Sequence, residues 1–310
     1  MPRHPSLPKI VLWLLAGVFL AAACGGVTEV PTPTGVTPPA SPVPPTQTPT
    51  PVLPSPTPVP LAVRVNGEEI TLAEYQEELA RYQAAVEESG ANSESESEAG
   101  QRVLDDLVDQ VLLAQGAREA GFSLTETELQ ARLDALAEEA GGETALAEWQ
   151  AANGYTPESF QTSLERALAA AWMRDQVIAA VPESAEQVHA RQILLHNEDQ
   201  AREVLARLGA GEKFDTLAAE FEPVTFGDLG WFPRGYLIEP ALEEAAFALE
   251  PEAYSRVVET RLGFHLVQLI EREPDRPLDP DAFLALQRNA LREWLEARRS
   301  ESEIQTLLPD

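Results

Sequence analysis

The fold is decided between Gly227 and Gly235, where the chain reads GDLGWFPRG. Glycine and aspartate at its start predict a tight turn, because glycine accepts positive φ and aspartate bonds to nearby backbone. Strand and helix patterns lie on both sides of this turn. They are a strand over Val188–Leu195, helices around 199–209, 213–221 and Pro240–Leu249, and strands over Ser255–Glu259 and Gly263–Ile270. This mixture predicts an α+β domain of about 90 residues that buries one core.

The region before this domain has the hydrophobic periodicity of helices. It opens with a predicted hairpin over Ala62–Ile70, whose Asn66-Gly67 pair suits the positive φ of a two-residue turn. The predicted helix starts are Thr71 with Glu74, Thr125 with Glu128, and Thr156 with Pro157. Val181-Pro182 ends the last of these helices. We therefore expect an all-α lobe.

Two further segments complete the body of the chain. Residues 88–100 read ESGANSESESEAG, an acidic and serine-rich composition that predicts a solvated, mobile loop. Asp281–Leu308 carries apolar residues at helical spacing, which predicts a C-terminal amphipathic helix.

The N-terminus predicts export and anchoring. Basic residues precede an apolar run from Ile10 to Ala23, too short to span a hydrocarbon core of about 30 Å and typical of a signal peptide. Leu20–Gly25 resembles the bacterial lipobox, which implies lipidation of Cys24. The alternative is an ordinary secretory signal followed by a chance cysteine. Cys24 is the chain's one cysteine, so no disulfide can form within the chain.

The segment after the anchor is proline-rich. Residues 31–60 hold 13 of the 26 prolines and no charged residue. Proline fixes φ and lacks an N–H group, so the segment predicts a disordered tether that samples polyproline II and spans at most roughly 90 Å. A ligand for proline-reading domains is the alternative role.

The formal net charge is −29, from 51 acidic and 22 basic residues. Such a surface disfavours nucleic acid and anionic lipid headgroups as partners. The sequence has four histidines and one cysteine, so it predicts no metal site. It also lacks the glycine-rich and nucleophile motifs of nucleotide-binding proteins and hydrolases, and we expect no cofactor.

The central domain resembles the parvulin family of peptidyl-prolyl isomerases over Ser184–Glu273. The motifs that carry this resemblance are ARQILL at 190–195, FDTLAAEF at 214–221, GDLGWFPRG at 227–235, EEAAFAL at 243–249, VET at 258–260 and GFH at 263–265. Their number, order and spacing make it specific. The preceding lobe is similar to the N-terminal chaperone region of SurA/PrsA-type foldases, at 65–71 and 154–160. In those proteins a C-terminal helix returns to the lobe, which implies the same for 276–310.

These patterns divide the chain into five parts. They are a lipoprotein signal peptide at 1–23, lipidated Cys24 and a Pro/Thr-rich linker at 24–60, a helical chaperone-like lobe at 61–182, a parvulin-like domain at 183–275 and a C-terminal helix at 276–310. The expected fold class is α+β, with a small antiparallel sheet surrounded by helices in the parvulin-like domain.

The resemblance implies an isomerase acting on X–Pro bonds, through an apolar proline pocket beside a small polar network. It implies catalytic roles for His265, Thr260 and Gln192. It implies that the wall of the proline pocket is formed by Leu237, Leu242, Leu229 and Phe264. Rotation about the bond is opposed by a barrier of about 18–20 kcal/mol from lost amide resonance. A protein lowers it by desolvating the carbonyl and stabilising the twisted state, without bond cleavage.

Two positions depart from the family pattern. Gln192 stands where the family has its first histidine; it forms hydrogen bonds but does not titrate. The loop that carries the family's cysteine or aspartate is shortened to residues 222–226, leaving Glu222 and Thr225 as candidates. His189 is expected on the opposite face of the strand from Gln192. His265 could instead be a hydrogen-bonded core histidine.

Three functions remain open at this point. The first is a membrane-anchored, extracytoplasmic isomerase whose partners are newly exported, unfolded polypeptides with X–Pro bonds, and the membrane through the lipid on Cys24. The second is a holdase whose parvulin domain has lost catalysis. The third is a structural or interaction protein of the envelope.

Overall fold

The computed structural model describes residues 59–90 and 95–308. The predicted signal peptide at 1–23, the predicted anchor at Cys24 and the predicted linker up to residue 58 lie outside the described residues. Within them, helices surround two small antiparallel sheets, which confirms the predicted α+β fold class.

The helical lobe begins with a hairpin. Its elements are β1 (Leu61–Val65), β2 (Glu68–Thr71), α1 (Leu72–Ser89), α2 (Glu96–Glu119), α3 (Glu126–Ala140), α4 (Glu143–Ala152) and α5 (Pro157–Ala179). Asn66 and Gly67 have φ values of 51° and 85°, as a tight two-residue turn requires. The predicted caps Thr71, Thr125 and Thr156 each accept a hydrogen bond from a backbone N–H in the first turn of their helix. The hairpin means that this lobe is not all-α.

The predicted loop over 88–100 is wrong at both ends. Helix α1 continues to Ser89, and Ser95 begins α2 through a capping box with Glu98. Ala99 and Gly100 are buried. Serine and glutamate suggest a solvated loop by their composition, but Ser95 and Glu98 instead form the capping box that begins α2.

The parvulin-like domain, called the isomerase-like domain below, is a four-stranded antiparallel sheet with helices on both faces. Its elements are β3 (Ser184–Leu195), α6 (Glu198–Gly209), α7 (Phe214–Phe221), β4 (Asp228–Pro233), α8 (Pro240–Phe247), β5 (Val258–Thr260) and β6 (Gly263–Pro277). The strand order is β4-β3-β6-β5. Strand β4 begins inside the predicted turn, and β6 continues past the predicted end at Ile270 because it pairs with β3 as far as Pro277.

Two apolar cores lie on the two faces of this sheet. On one face Ile193, Leu195 and Leu266 pack against α6 and α7. On the other, Val267 and Leu269 pack with residues of β3, β4 and α8. Because each fully buried side chain of this kind contributes roughly 1.5–3 kcal/mol, the two cores fix the sheet between its helices.

The C-terminus returns to the helical lobe as helix and then strand. Helix α9 (Pro280–Glu301) ends seven residues before the predicted Leu308, and β7 (Ile304–Thr306) follows. Strand β7 pairs antiparallel with β1, giving the sheet order β2-β1-β7. No local pattern predicts this strand, because its partner is at the other end of the described chain.

Helix α9 contacts both the lobe and the isomerase-like domain. Trp294 packs on α2 at Gly116, where an added Cβ would lie 2.7 Å from the indole ring. Arg299 binds the Asp109 carboxylate at 2.7 Å. Nearer the N-terminus of α9, the Asn289 side chain donates to the backbone carbonyl of Gly235. One helix therefore holds the two regions together.

Candidate functional site

Three strands bring the predicted polar residues together. Gln192 on β3 lies opposite Val267 on β6, and His265 is two residues from Val267. Side chains alternate along a strand, so Gln192 and His265 face the same side of the sheet. Strand β5 pairs with the other edge of β6 and carries Thr260.

The His265 ring is hydrogen-bonded at both nitrogens. Its Nδ1 lies 2.9 Å from the Gln192 Oε1 atom, and its Nε2 lies 2.8 Å from the Thr260 hydroxyl. An amide oxygen only accepts, so Nδ1 carries the ring hydrogen and Nε2 accepts from the Thr260 hydroxyl. That hydroxyl in turn accepts from the Leu262 backbone N–H at 3.0 Å. Each group therefore donates to the next: the Leu262 N–H to Thr260, the Thr260 hydroxyl to His265, and the His265 ring to Gln192.

Burial keeps the His265 imidazole neutral. Its exposed fraction is 1%. Burial lowers the pKa of the imidazole below its ordinary value of 6.5, because a low dielectric disfavours the charged form; the nearby Glu239 carboxylate acts in the opposite direction. Neutral imidazole is the form that the Gln192–His265–Thr260 network requires.

Three predicted pocket residues lie in one apolar cluster on the same face as this network. Leu242 on α8 is buried, and Leu229 on β4 and Leu237 before α8 are partly buried against it. The buried members around them are Val188, Ala190, Phe232, Ala246, Phe247, Val267 and Leu269. Val258, which packs on this cluster, lies directly opposite His265 in the β5–β6 pair. The cluster thus adjoins the polar network.

Phe264 is not brought into this cluster. It packs on the other face of the sheet, with Leu195 and Leu266. The reason is the alternation of side chains: Phe264 precedes His265 on β6 and points to the opposite side.

Glu243 is a positioning residue that the sequence reasoning missed. Its carboxylate accepts hydrogen bonds from the backbone N–H groups of Gly235, Tyr236 and Leu237, at 2.7, 3.0 and 3.2 Å. Charge-assisted bonds of this kind are about twice as strong as neutral ones. They hold the loop that carries Leu237 against α8. The only sequence signal is that Glu243 belongs to a motif shared with the family.

Gly227 permits the close approach of the shortened loop to Gln192. The Gln192 N–H donates to the Gly227 carbonyl at 2.8 Å. Gly227 has a φ of 69°, and a Cβ there would lie 1.8 Å from the Gln192 carbonyl oxygen. The Thr225 hydroxyl accepts from the Gly227 N–H, so it serves the loop itself. The Glu222 carbonyl accepts from Phe226. Neither candidate joins the His265 network.

Large apolar side chains are exposed in the loops beside the site. Phe226 precedes Gly227, Ile238 follows Leu237, and Leu262 lies in the β5–β6 turn after Thr260. Their exposed fractions are 55%, 83% and 58%. Exposed apolar groups of this size are typical of interaction surfaces when they lie together.

The other predicted histidines lie apart from the site. His189 is hydrogen-bonded to the Asp228 carboxylate at 2.8 Å and packs beside Trp231. Burial raises the pKa of the Asp228 carboxyl, but the backbone bond from Gly230 and the interaction with His189 together lower it below its ordinary value. His196 is exposed after β3. In the described part of the chain, no three His, Cys, Asp or Glu side chains are arranged to hold a metal ion. No described helix has the length and apolarity needed to cross a bilayer.

Two family models match the chain, one for each region. The model of the SurA-like N-terminal domain matches residues 58–162, and that of the PPIC-type PPIase domain matches residues 177–271. The second match contains the Gln192–His265–Thr260 network and the apolar cluster around Leu229, Leu237 and Leu242, which we call the leucine cluster. The predicted resemblance to parvulin isomerases and SurA/PrsA foldases is confirmed.

Sequence relatives that match along much of the chain specify the family. Foldase protein PrsA of Caldanaerobacter subterraneus is 30% identical over 230 residues, which cover 66% of this chain and 71% of the relative. Foldase protein PrsA of Geobacillus kaustophilus is 29% identical, covering 58% and 66%. The crystal structure of PrsA from Bacillus cereus is 19% identical, with a TM-score of 0.42 over 78% of this chain and 86% of that one. The chain belongs to the PrsA foldase family.

Proposed function

We propose that this chain is an extracytoplasmic foldase that catalyses cis/trans isomerisation of X–Pro bonds in exported polypeptides. The observation that carries the proposal is the Gln192–His265–Thr260 network, held within 2.9 Å beside the leucine cluster. A polar network next to an apolar surface is what rotation about a prolyl amide requires, since the reaction needs positioning and desolvation but no nucleophile.

Each part of the site has a role in this reaction. The leucine cluster takes the proline ring and excludes water from the amide. The carbonyl then loses hydrogen bonds that favour the planar form, and the twisted amide becomes less costly. Neutral His265, fixed by Thr260, orients Gln192, whose amide N–H groups are donors for the substrate. Protonation of His265 would break the bond that it accepts from Thr260, so the neutral ring is part of the site.

The location of the reaction follows from the N-terminal sequence. We infer that the lipid on Cys24 anchors the chain to the extracytoplasmic face of a cell membrane, with residues 24–60 as a spacer. Newly exported chains are unfolded at that face, and their X–Pro bonds isomerise slowly, in tens to hundreds of seconds. The relatives' names as foldases and a chaperone support this class of client.

The test is an isomerisation assay on a short prolyl peptide with the full chain. We expect the His265→Ala variant to lose about tenfold or more in kcat/KM, roughly 1.4 kcal/mol of transition-state stabilisation. His196→Ala, which removes an exposed histidine, is the matched control and should match the wild type. The absence of a wild-type rate above background would refute catalysis, and equal rates for the two variants would refute the role of His265.

A second candidate is a holdase without catalysis. Two observations favour it: Gln192 replaces the family's first histidine, and both nitrogens of the 1%-exposed His265 ring are already bonded within the protein. This function predicts that wild type and His265→Ala suppress client aggregation equally, while neither accelerates isomerisation.

A further inference from the structure

A groove lies between α3, α4 and α5, far along the chain from His265, with a volume of about 280 Å³. We call it the acidic groove. Its apolar lining is Leu133, Ala137, Leu146, Ala147, Pro157 and Phe160, and the carboxylates on its rim are Asp134, Glu143 and Glu158. The volume is near the lower end for ligand sites, roughly 300 Å³, so it accommodates a few side chains of a longer ligand.

The helices that form this groove are thinly packed. Helix α4 has no buried residue, and α3 buries only Leu129 and Ala137. By contrast α2 buries twelve of its 24 residues. Leu133 and Leu146 therefore keep part of their apolar surface in water. A ligand that covers them gains from the hydrophobic effect without displacing any packed group.

The charge around the groove is predominantly negative. The segment 126–152 has seven acidic residues and one basic residue, Arg132. The arginines of adjacent helices are in ion pairs elsewhere: Arg81 with Glu78, Arg166 with Glu74, and Arg174 with Asp175. A concave surface lined by one sign of charge concentrates its field and selects the opposite charge.

We propose that the acidic groove binds cationic, apolar segments of unfolded polypeptides, in which lysine or arginine alternates with leucine-like side chains. The apolar side chains cover Leu133, Leu146 and Phe160, and the cations lie at the rim carboxylates. The proposal uses the foldase function only for the unfolded state of the client. Binding here needs neither Gln192 nor His265, so it is a second site on the same client.

A second groove lies between α2 and α9, with a volume of about 300 Å³ and with Leu291 and Leu295 in its lining. Its charges are mixed, because Arg288, Arg292 and Arg299 lie beside Asp109 and Glu296. Arg292 is paired with Glu296, and Arg299 with Asp109. This groove therefore does not present one sign of charge to a peptide, whereas the acidic groove does.

The experiment measures binding of three labelled peptides to the full chain by fluorescence anisotropy. One peptide repeats lysine and leucine, the second glutamate and leucine in the same pattern, and the third lysine and serine. We expect measurable binding of the first peptide alone, weakened by added salt because rim charges are screened. Equal binding of the lysine–serine peptide would overturn the proposal, since charge alone would then be enough for binding.

Neutral variants of the rim locate the binding. The triple variant Asp134→Asn, Glu143→Gln and Glu158→Gln keeps side-chain shape, and we expect its affinity for the lysine–leucine peptide to fall about fivefold or more. The matched control removes three exposed carboxylates elsewhere, as Glu87→Gln, Glu88→Gln and Glu250→Gln. Its affinity should stay within about twofold of the wild type. An equal loss in both triples would overturn the proposal.

Two further measurements separate this proposal from the proposed isomerase. His265→Ala should bind the lysine–leucine peptide with unchanged affinity. The rim variant should isomerise a short prolyl peptide at the wild-type rate. If catalysis is absent while the rim variant still loses peptide binding, the proposed binding site is supported and the proposed isomerase activity is refuted. If catalysis is present and the rim variant binds the peptide normally, the binding site is refuted and the isomerase activity is supported.

Discussion

The His265 site and the acidic groove are built in opposite ways. The site joins Gln192 and His265, 73 residues apart in the chain, through a hydrogen bond of 2.9 Å inside a sheet with helices on both faces. The groove is formed by three consecutive helices, and α4 has no buried side chain. One region is fixed by long-range packing, and the other is local and partly exposed.

This difference matches the two proposed tasks. Stabilising a twisted amide needs donors and apolar walls that stay within a fraction of an ångström, and only residues locked by their neighbours provide this. Holding many unfolded sequences needs a surface that repacks around each of them. The two regions can therefore be altered separately, and the following variants test the long-range packing that distinguishes the site from the groove.

The largest effect is expected from Gly227→Ala, which should break the site and leave the groove intact. A Cβ at this position would lie 1.8 Å from the Gln192 carbonyl oxygen, at a φ of 69°. Left-handed backbone alone costs alanine about 1–2 kcal/mol, and the clash adds to it. We expect the variant to lose most of its isomerase activity, and its unfolding free energy to fall by about 2 kcal/mol or more. Unaltered kcat/KM would contradict this reading of the loop.

Gly116→Ala should loosen the contact between α2 and α9, which lies outside both the site and the groove, by displacing Trp294. The added Cβ would lie 2.7 Å from the indole. Overpacking costs typically about 1–3 kcal/mol, and alanine's helix preference returns about 1 kcal/mol, so the net loss is about 1 kcal/mol. Urea unfolding measures it. Gly209→Ala, at an open helical position, is the matched control and should be neutral or stabilising. Isomerase activity should be unaffected by Gly209→Ala.

Glu243→Gln should loosen the loop that carries Leu237 and leave the hydrogen bonds of His265 unchanged. One amide oxygen replaces the carboxylate that accepts three backbone bonds. We expect a loss of about 1 kcal/mol in stability and a higher KM with kcat little changed, because the proline wall moves while the polar network stays. The neighbouring exposed Glu244→Gln is the control. A fall in kcat alone would assign Glu243 a different role.

The smallest effect is a pH dependence of stability. The pKa of His265 is lowered in the folded state, so the unfolded chain takes up its proton first as pH falls below about 6.5. Unfolding is therefore favoured by acid from the ordinary histidine pKa downward, and this contribution is complete once the pH is below the folded pKa. Between about pH 7.5 and 5.5, the wild type should lose more stability than His265→Gln. Parallel curves for the two proteins would show that burial does not shift this group.

Local features of the fold were predictable from the sequence. The caps at Thr71, Thr125 and Thr156 and the Asn66-Gly67 turn are where their residue types indicated, because each depends on neighbours within three or four positions. Helix α4 was missed, since it follows two glycines and buries nothing that would give a clear period. The functional assignments of Gln192, Thr260 and His265 and the domain boundaries stay predictions until the variants are made.

By itself, the sequence determined which family the chain resembles, the alternation of helices and strands, and the residue types at the site. Tertiary structure alone decided that β7 pairs with β1, that Glu243 holds the Leu237 loop, that Gly227 lies against Gln192, and that Phe264 faces away from His265. The physical reason is range. Caps and turns are satisfied within one turn of the chain, whereas these contacts join distant segments, and only the packed sheets and helices bring those segments within hydrogen-bonding distance.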